Sequence, residues 1–139
     1  MNRNPSFYAP GRPQVLLFNF RPDRRSMRII RYLTETGVAV RQVPPEAYGK
    51  PLGALLGMPG YEAGAHASPG AVFREELLVM CGFDQPRLDA FLRFFRDEQI
   101  MRVDLKAVLT PTNASWDAGR LRAHLIAERD AMKSRMKQP

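Results

Sequence analysis

A chain of 139 residues, 45% hydrophobic and 25% charged, has enough apolar material for one globular core and is too short for two, which excludes wholesale disorder. One cysteine and two histidines exclude an intramolecular disulfide and offer no zinc-type ligand spacing, so neither a structural metal nor a cofactor is expected. No apolar run approaches the roughly 20 residues of a membrane span and no apolar h-region opens the chain, so the expectation is a cytoplasmic protein without a membrane partner.

The net charge of +7 is uneven. Residues 1–45 hold eight arginines against Asp23 and Glu35, whereas the remainder carries thirteen basic and twelve acidic groups. A local positive field of this kind raises encounter rates with nucleic acid or acidic partners but does not dictate a fold.

Residues 1–13 contain Pro5, Pro10, Gly11 and Pro13 without apolar periodicity and read as a disordered arm. Val15 to Phe20 is a continuous apolar run, the pattern of a strand covered on both faces. Arg21 to Thr36 follows as a helix with Met27, Ile29, Ile30 and Leu33 on its inner side. Arg21, Arg24, Arg28 and Arg31 form an outward stripe flanked by Arg25. Gly37 suits the helix stop, and Val38 to Val43 is a short strand ended by Pro44 and Pro45.

One or two weak helical turns at Leu52–Leu56 lead into a glycine- and proline-rich connector over residues 58–70. It matches neither Gly-x-x-x-x-Gly-Lys nor Gly-x-Gly-x-x-Gly and so is no phosphate cradle. Leu77 to Cys81 is a second continuous strand, with Asp84 placed to cap a helix to Glu98 whose inner face is Leu88, Phe91, Leu92 and Phe95. The stretch Leu105 to Trp116 opens as a fourth strand, an apolar run that breaks into Thr110-Pro111-Thr112-Asn113. A last helix is expected from Ser115, with Ala118, Leu121, Leu125 and Met132 inward. The domain proper is therefore 14–127, with 128–139 a basic helix end and tail.

Shifting the sequence by 62 residues lays Ile29, Ile30, Leu33 and Val38 over Phe91, Leu92, Phe95 and Ile100, which suggests two β-α-β halves. Strands separated by helices predict an α/β fold: a small four-stranded, mostly parallel sheet with helices on both faces, or alternatively a ferredoxin-like α+β arrangement. The parallel version brings all strand C-termini to one edge, where open α/β sheets bind ligands.

That edge supplies the candidate ligand-binding residues: Asn19, Cys81, Lys106, Thr110, Thr112 and Asn113. Thr110, Thr112 and Asn113 are placed to bind an anion at the start of the last helix, or simply to cap it. Lys106 is the single charge in an apolar run. Cys81, ahead of a helix start, is the candidate nucleophile, with the plainer alternative of a small buried hydrophobe and neither His66 nor His124 nearby in sequence to act as base. A two-component receiver shares the outline, yet no acidic pair follows the first strand and Cys81 stands about where its phosphoacceptor aspartate would be.

Three stretches carry a resemblance: Leu52-Gly-Ala-Leu-Leu-Gly-Met-Pro-Gly60, Glu76-Leu-Leu-Val-Met-Cys-Gly-Phe83, and Leu105-Lys-Ala-Val-Leu-Thr-Pro-Thr-Asn113 with Trp116 after it. Together they resemble the bacterial domain-of-unknown-function family 3783 (DUF3783) over about Val15 to Leu125. The resemblance implies a prokaryotic source and a small α/β domain, and it implies no reaction.

Three functional readings follow. The first is a non-catalytic regulatory or binding module that takes a small anionic ligand or a protein partner at the strand edge. The second is a nucleic-acid-associated protein using Arg21, Arg24, Arg25, Arg28 and Arg31. The third is a thiol-dependent enzyme centred on Cys81.

Overall fold

A computed structural model describes residues 12–61, 70 and 72–136. The proline-rich arm before Arg12, most of the glycine-rich connector with His66, and the last three residues of the tail lie outside the described residues. The elements are β1 (Gln14–Phe18), α1 (Arg24–Glu35), β2 (Ala39–Gln42), α2 (Leu52–Leu55), β3 (Leu77–Cys81), α3 (Gln85–Asp97), β4 (Leu105–Val108) and α4 (Ala118–Met136), with single 3-10 turns at Pro45–Ala47 and Asn113–Ser115.

The chain divides into two compact units, Met1–Val43 with Arg74–Pro111, and Pro44–Phe73 with Thr112–Pro139. The first holds a four-stranded mixed sheet in the order β2-β1-β3-β4. β1 runs parallel to β2 and β3 parallel to β4, while β1 and β3 are antiparallel. Two of three pairings are parallel, so the α/β class and mostly parallel sheet are as expected. The ferredoxin-like alternative required a β2–β3 hairpin, and here β1 lies between those strands.

The antiparallel seam corrects one expectation. The C-terminal ends of β3 and β4 share an edge, but those of β1 and β2 lie at the opposite edge, because Phe18 is opposite Leu77 and Gln14 opposite Cys81. The connection from β2 to β3 spans residues 43–76, and no local pattern within it dictates the direction in which β3 enters the sheet.

The seam is centred on Leu16 opposite Val79, residues 63 apart in sequence, so the two β-α-β halves are related by a pseudo-two-fold axis normal to the sheet. Equivalent hydrogen bonds recur around it. Val38 N donates to Leu33 O at 2.9 Å and Ile100 N to Phe95 O at 2.8 Å; Val43 N donates to Leu17 O at 2.9 Å and Leu109 N to Met80 O at 2.8 Å. Each helix is N-capped by an aspartate, Asp23 accepting from Ser26 N at 2.8 Å and Asp84 from Arg87 N at 2.9 Å. The Ser26 bond holds the Asp23 carboxyl below the usual carboxylate range.

Two right-handed crossovers related by such an axis place both helices on one face of the sheet. That face presents Val15, Leu17, Leu78 and Met80, against which Ile29 and Leu33 of α1 and Phe91 and Phe95 of α3 pack. Leu16, Phe18, Leu77, Val79 and Cys81 point to the other face and are buried as well, which is why β1 and β3 read as unbroken apolar runs. Met27, expected inward, is 60% exposed because the helix begins three residues later than Arg21 and presents Ser26 to the core instead. Leu92, the counterpart of Ile30, is also largely outside.

In the second unit, α4 begins at Ala118 behind Asp117, whose carboxylate accepts from Arg120 N at 2.8 Å. Ala118 and Leu121 are buried, Leu125 is half-buried, and Met132 is exposed rather than inward. Leu52 N donates to Trp116 O at 2.8 Å, joining the start of α2 to the approach to α4. No helix among the described residues is long and apolar enough to cross a membrane.

Candidate functional site

Of the sequence-selected edge residues, Asn19 and Cys81 are not brought together. Asn19 lies at the far edge from Cys81, its amide Nδ2 donating to Glu75 O at 2.9 Å. Its positive φ of 67° has its counterpart in Gly82, φ 78°, at the end of β3. Both strands thus leave the sheet through a left-handed residue, a conformation that asparagine and glycine tolerate best. Asn19 is accounted for as a strand terminator.

Cys81 sits at the C-terminal end of β3, and the Leu109 to Met80 hydrogen bond brings the Thr110 backbone to the same edge. The thiol is 1% exposed, and burial pushes its pKa up to about 11 from an ordinary 9.0. Proximity to a helix start was expected to favour the thiolate. Burial outweighs it, and the α3 N-terminus is itself capped by the Asp84 carboxylate, three residues further on.

Thr110 and Asn113 are engaged in interactions of their own, and Thr112 is exposed. They do not form the N-terminus of the last helix, since a 3-10 turn occupies Asn113–Ser115 and Asp117 caps α4. A carboxylate at that cap repels the anion that the sequence pattern seemed to invite. Lys106 faces the helix-covered side of the sheet, its Nζ 5.0 Å from the centre of the Phe95 ring. Burial, with Arg102 and Arg25 nearby, lowers its pKa below the ordinary lysine value.

The arginine stripe is largely neutralised. Arg25 donates from Nη1 to Glu76 Oε2, from Nε to Met101 O and from Nη2 to Arg102 O, each at 2.8 Å. Arg28 pairs with Glu98 at 2.8 Å and Arg31 with Glu35 at 3.1 Å. Arg21 and Arg24 are exposed and stand in no ion pair among the described residues. The stripe is therefore one side of a mixed-charge surface rather than a continuous basic track.

That surface is the feature missed by reading the elements singly. Tyr32 of α1 and Phe94 of α3 stack at 4.3 Å between ring centres, and above them runs an open groove of about 480 Å³. Its walls are Arg28, Arg31 and Glu35 on one side and Arg93, Asp97 and Glu98 on the other. The 62-residue shift already pairs Arg31 with Arg93, Tyr32 with Phe94 and Glu35 with Asp97. Extending the apolar comparison to polar positions would have located the groove.

Among the described residues no three of His, Cys, Asp and Glu converge to hold a metal ion. In the second unit Trp116 carries Arg120 over its ring at 4.5 Å and meets His124 edge-on at 5.2 Å; His124 Nε2 lies 3.2 Å from Glu128. This is a line of partnered side chains along α4.

Neither a curated protein nor a solved structure matches the chain. Residues 76–132 match the model of a family described as a domain of unknown function, DUF3783. The matched stretch begins at the threshold of β3 and ends within α4, so it covers the second half and leaves the Leu52–Gly60 stretch outside. Over residues 76–132, from β3 into α4, the chain is similar to the DUF3783 family.

Proposed function

We propose that this protein is a non-catalytic binding module whose contact surface for a protein partner is the outward face of α1 and α3. The observation that carries the reading is the Tyr32–Phe94 stack, left open between two ladders of exposed charge. Aromatic rings and arginines are among the residue types enriched in protein interfaces, where tyrosine and arginine concentrate binding energy. The two helices stand on a rigid sheet, so the face is preorganised and little ordering entropy opposes docking.

A thiol enzyme has less support, because a proton held to about pH 11 leaves Cys81 un-ionised at neutral pH. A small-anion site at the strand edge is weakened by the separation of Asn19 from Cys81 and by the Asp117 cap. A nucleic-acid surface on α1 would have to break the Arg25–Glu76, Arg28–Glu98 and Arg31–Glu35 pairs to free its cations.

The test is affinity capture with the full chain against a double variant, Arg31→Glu with Arg93→Glu, and a control, Arg129→Glu on α4. A protein retained by wild type and by the control but lost by the double variant supports the reading. Identical retention by all three would remove it.

A further inference from the structure

We infer that the α1/α3 face is an isologous interface, and that the partner it fits is a second copy of this chain. The inference rests on the proposed binding role of this face and adds the identity of the occupant.

The argument is charge order. The helices are antiparallel, as the Arg28–Glu98 pair near one end and the Arg87–Thr36 bond near the other require. Taking Arg28 and Glu98 as level and a rise of about 1.5 Å per residue, Arg31 lies about 4.5 Å along and Glu35 about 10.5 Å along α1; Asp97 lies about 1.5 Å and Arg93 about 7.5 Å along the same direction on α3. Read that way, α1 presents plus, plus, minus and α3 presents minus, minus, plus. Within one molecule this complementarity is used once, by Arg28 and Glu98. Arg31 and Asp97 remain largely outward, with side chains 79% and 63% exposed, in surface pairs on their own helices (Arg31–Glu35 at 3.1 Å, Arg96–Asp97 at 3.7 Å) that a facing copy would exchange.

A second copy placed face to face, about a two-fold axis running along the helices, lays α1 of each molecule over α3 of the other at the same level. Arg28 and Arg31 then oppose Asp97 and Glu98 of the second copy, and Glu35 opposes Arg93, with every contact made twice. The other face-to-face arrangement, with the axis across the helices, sets Arg31 against Arg31 and Arg93 against Arg93. That arrangement also lays Arg28 over Glu35 twice, so the choice between the two dimers rests on the Arg31 and Arg93 contacts alone. The groove has no net charge, with three cations and three anions along it, and so it is matched to itself better than to a polyanion.

The test is sedimentation velocity of the full chain over a range of concentrations, with two single variants, Arg31→Glu and Asp97→Arg. Wild type is expected to dimerise reversibly and to dissociate as salt is raised. Each variant alone sets like charges opposite one another twice and is expected to weaken self-association by about tenfold or more. Mixed in equal amounts, the two variants satisfy both contacts: the carboxylate introduced at position 31 faces the guanidinium introduced at position 97, and the native Arg31 faces the native Asp97. A heterodimer near wild-type strength is expected. Both positions are exposed, and circular dichroism of each variant confirms that the fold is kept. A wild-type chain that stays monomeric, or a mixture that stays as weak as its components, overturns the inference. Loss of a heterologous partner in the capture experiment with a monomeric wild type would leave the binding face standing and remove only the second copy.

Discussion

Arg25 and Arg87, separated by the 62-residue repeat, each reach from the start of one helix to backbone carbonyls beyond the end of the other. Arg25 donates to Met101 O and Arg102 O after α3, and Arg87 Nη1 donates to Thr36 O after α1 at 2.7 Å. These three bonds lock the halves together across the pseudo-two-fold axis. The two arginines are not equal, since Arg25 also pairs with Glu76 and its side chain is only 21% exposed. Charge-assisted bonds to a partly buried group contribute about 1.5–3 kcal/mol, so Arg25→Met should cost about 2 kcal/mol or more and Arg87→Met about 1 kcal/mol. Urea denaturation of the two variants checks the order; an Arg87 variant that is the less stable of the two would contradict it.

The helix stops give a second asymmetry. Gly37 ends α1 with φ 89°, and its counterpart Gln99 ends α3 with φ 53°. A side chain in the left-handed region costs about 1–2 kcal/mol, partly offset by the lower entropy of a non-glycine unfolded chain. Gln99→Gly should therefore stabilise the protein, by about 0.5–1 kcal/mol, whereas Gly37→Gln should destabilise it by a similar amount. Thermal unfolding of the pair, with shifts of opposite sign, is the measurement; shifts of the same sign would mean that backbone strain does not govern these stops.

These repeats also show what was legible in the sequence. The unbroken runs Leu16-Leu17-Phe18 and Leu77-Leu78-Val79 identified strands buried on both faces, and the 62-residue echo identified two halves, because both depend on local burial. The direction of β3 relative to β1 was not legible. It is decided by long-range pairing of Leu16 with Val79, which no nearby residue encodes. Asn19 leaves the expected edge for that reason, since Asn19 and Cys81 belong together only in a sheet whose strands all point one way. Thr110 and Asn113 misled because a Thr-Pro-Thr-Asn corner has the chemistry of a helix cap, and the cap itself is Asp117, four residues past Asn113. The groove was hidden for a different reason: its walls, Arg31 and Glu35 with Arg93 and Asp97, come from two helices distant in sequence and meet only once both lie on the sheet.

Lys106 is a cost that the fold carries. Its ammonium is half-buried beside Phe95, with Arg102 and Arg25 opposing its charge. The folded protein holds this proton less tightly than the unfolded chain. The penalty is therefore fully present below the lowered folded pKa and is relieved as pH rises from there towards 10.5. Lys106→Met keeps the apolar stem and removes the charge, and a rise in Tm of about 2–5 °C near neutral pH is expected. The gain should shrink at alkaline pH. A variant less stable than wild type at neutral pH would mean that the cation's contact with Phe95 outweighs its desolvation.

Cys81 produces the opposite slope. Its folded pKa of about 11 lies above the ordinary 9.0, so the folded state binds the proton more tightly, and stability is unaffected below pH 9. Between about 9 and 11 the unfolded thiol ionises while the folded one does not, and stability falls with a limiting slope of about 1.4 kcal/mol per pH unit. Cys81→Ala is destabilised at neutral pH by the methyl-sized void it leaves on the buried face of β3, by about 1 kcal/mol, but it lacks this slope. Between pH 8 and pH 10.5 the difference between the two proteins in denaturant unfolding should thus change by on the order of 2 kcal/mol, so that the variant, the less stable at pH 8, becomes the more stable at pH 10.5. The same burial makes the native thiol slow towards a disulfide reagent at neutral pH, reacting only through opening of the structure. Parallel pH profiles for the two proteins, or rapid labelling of the folded chain, would show that Cys81 is reached by water and reopen the thiol chemistry that its environment argues against.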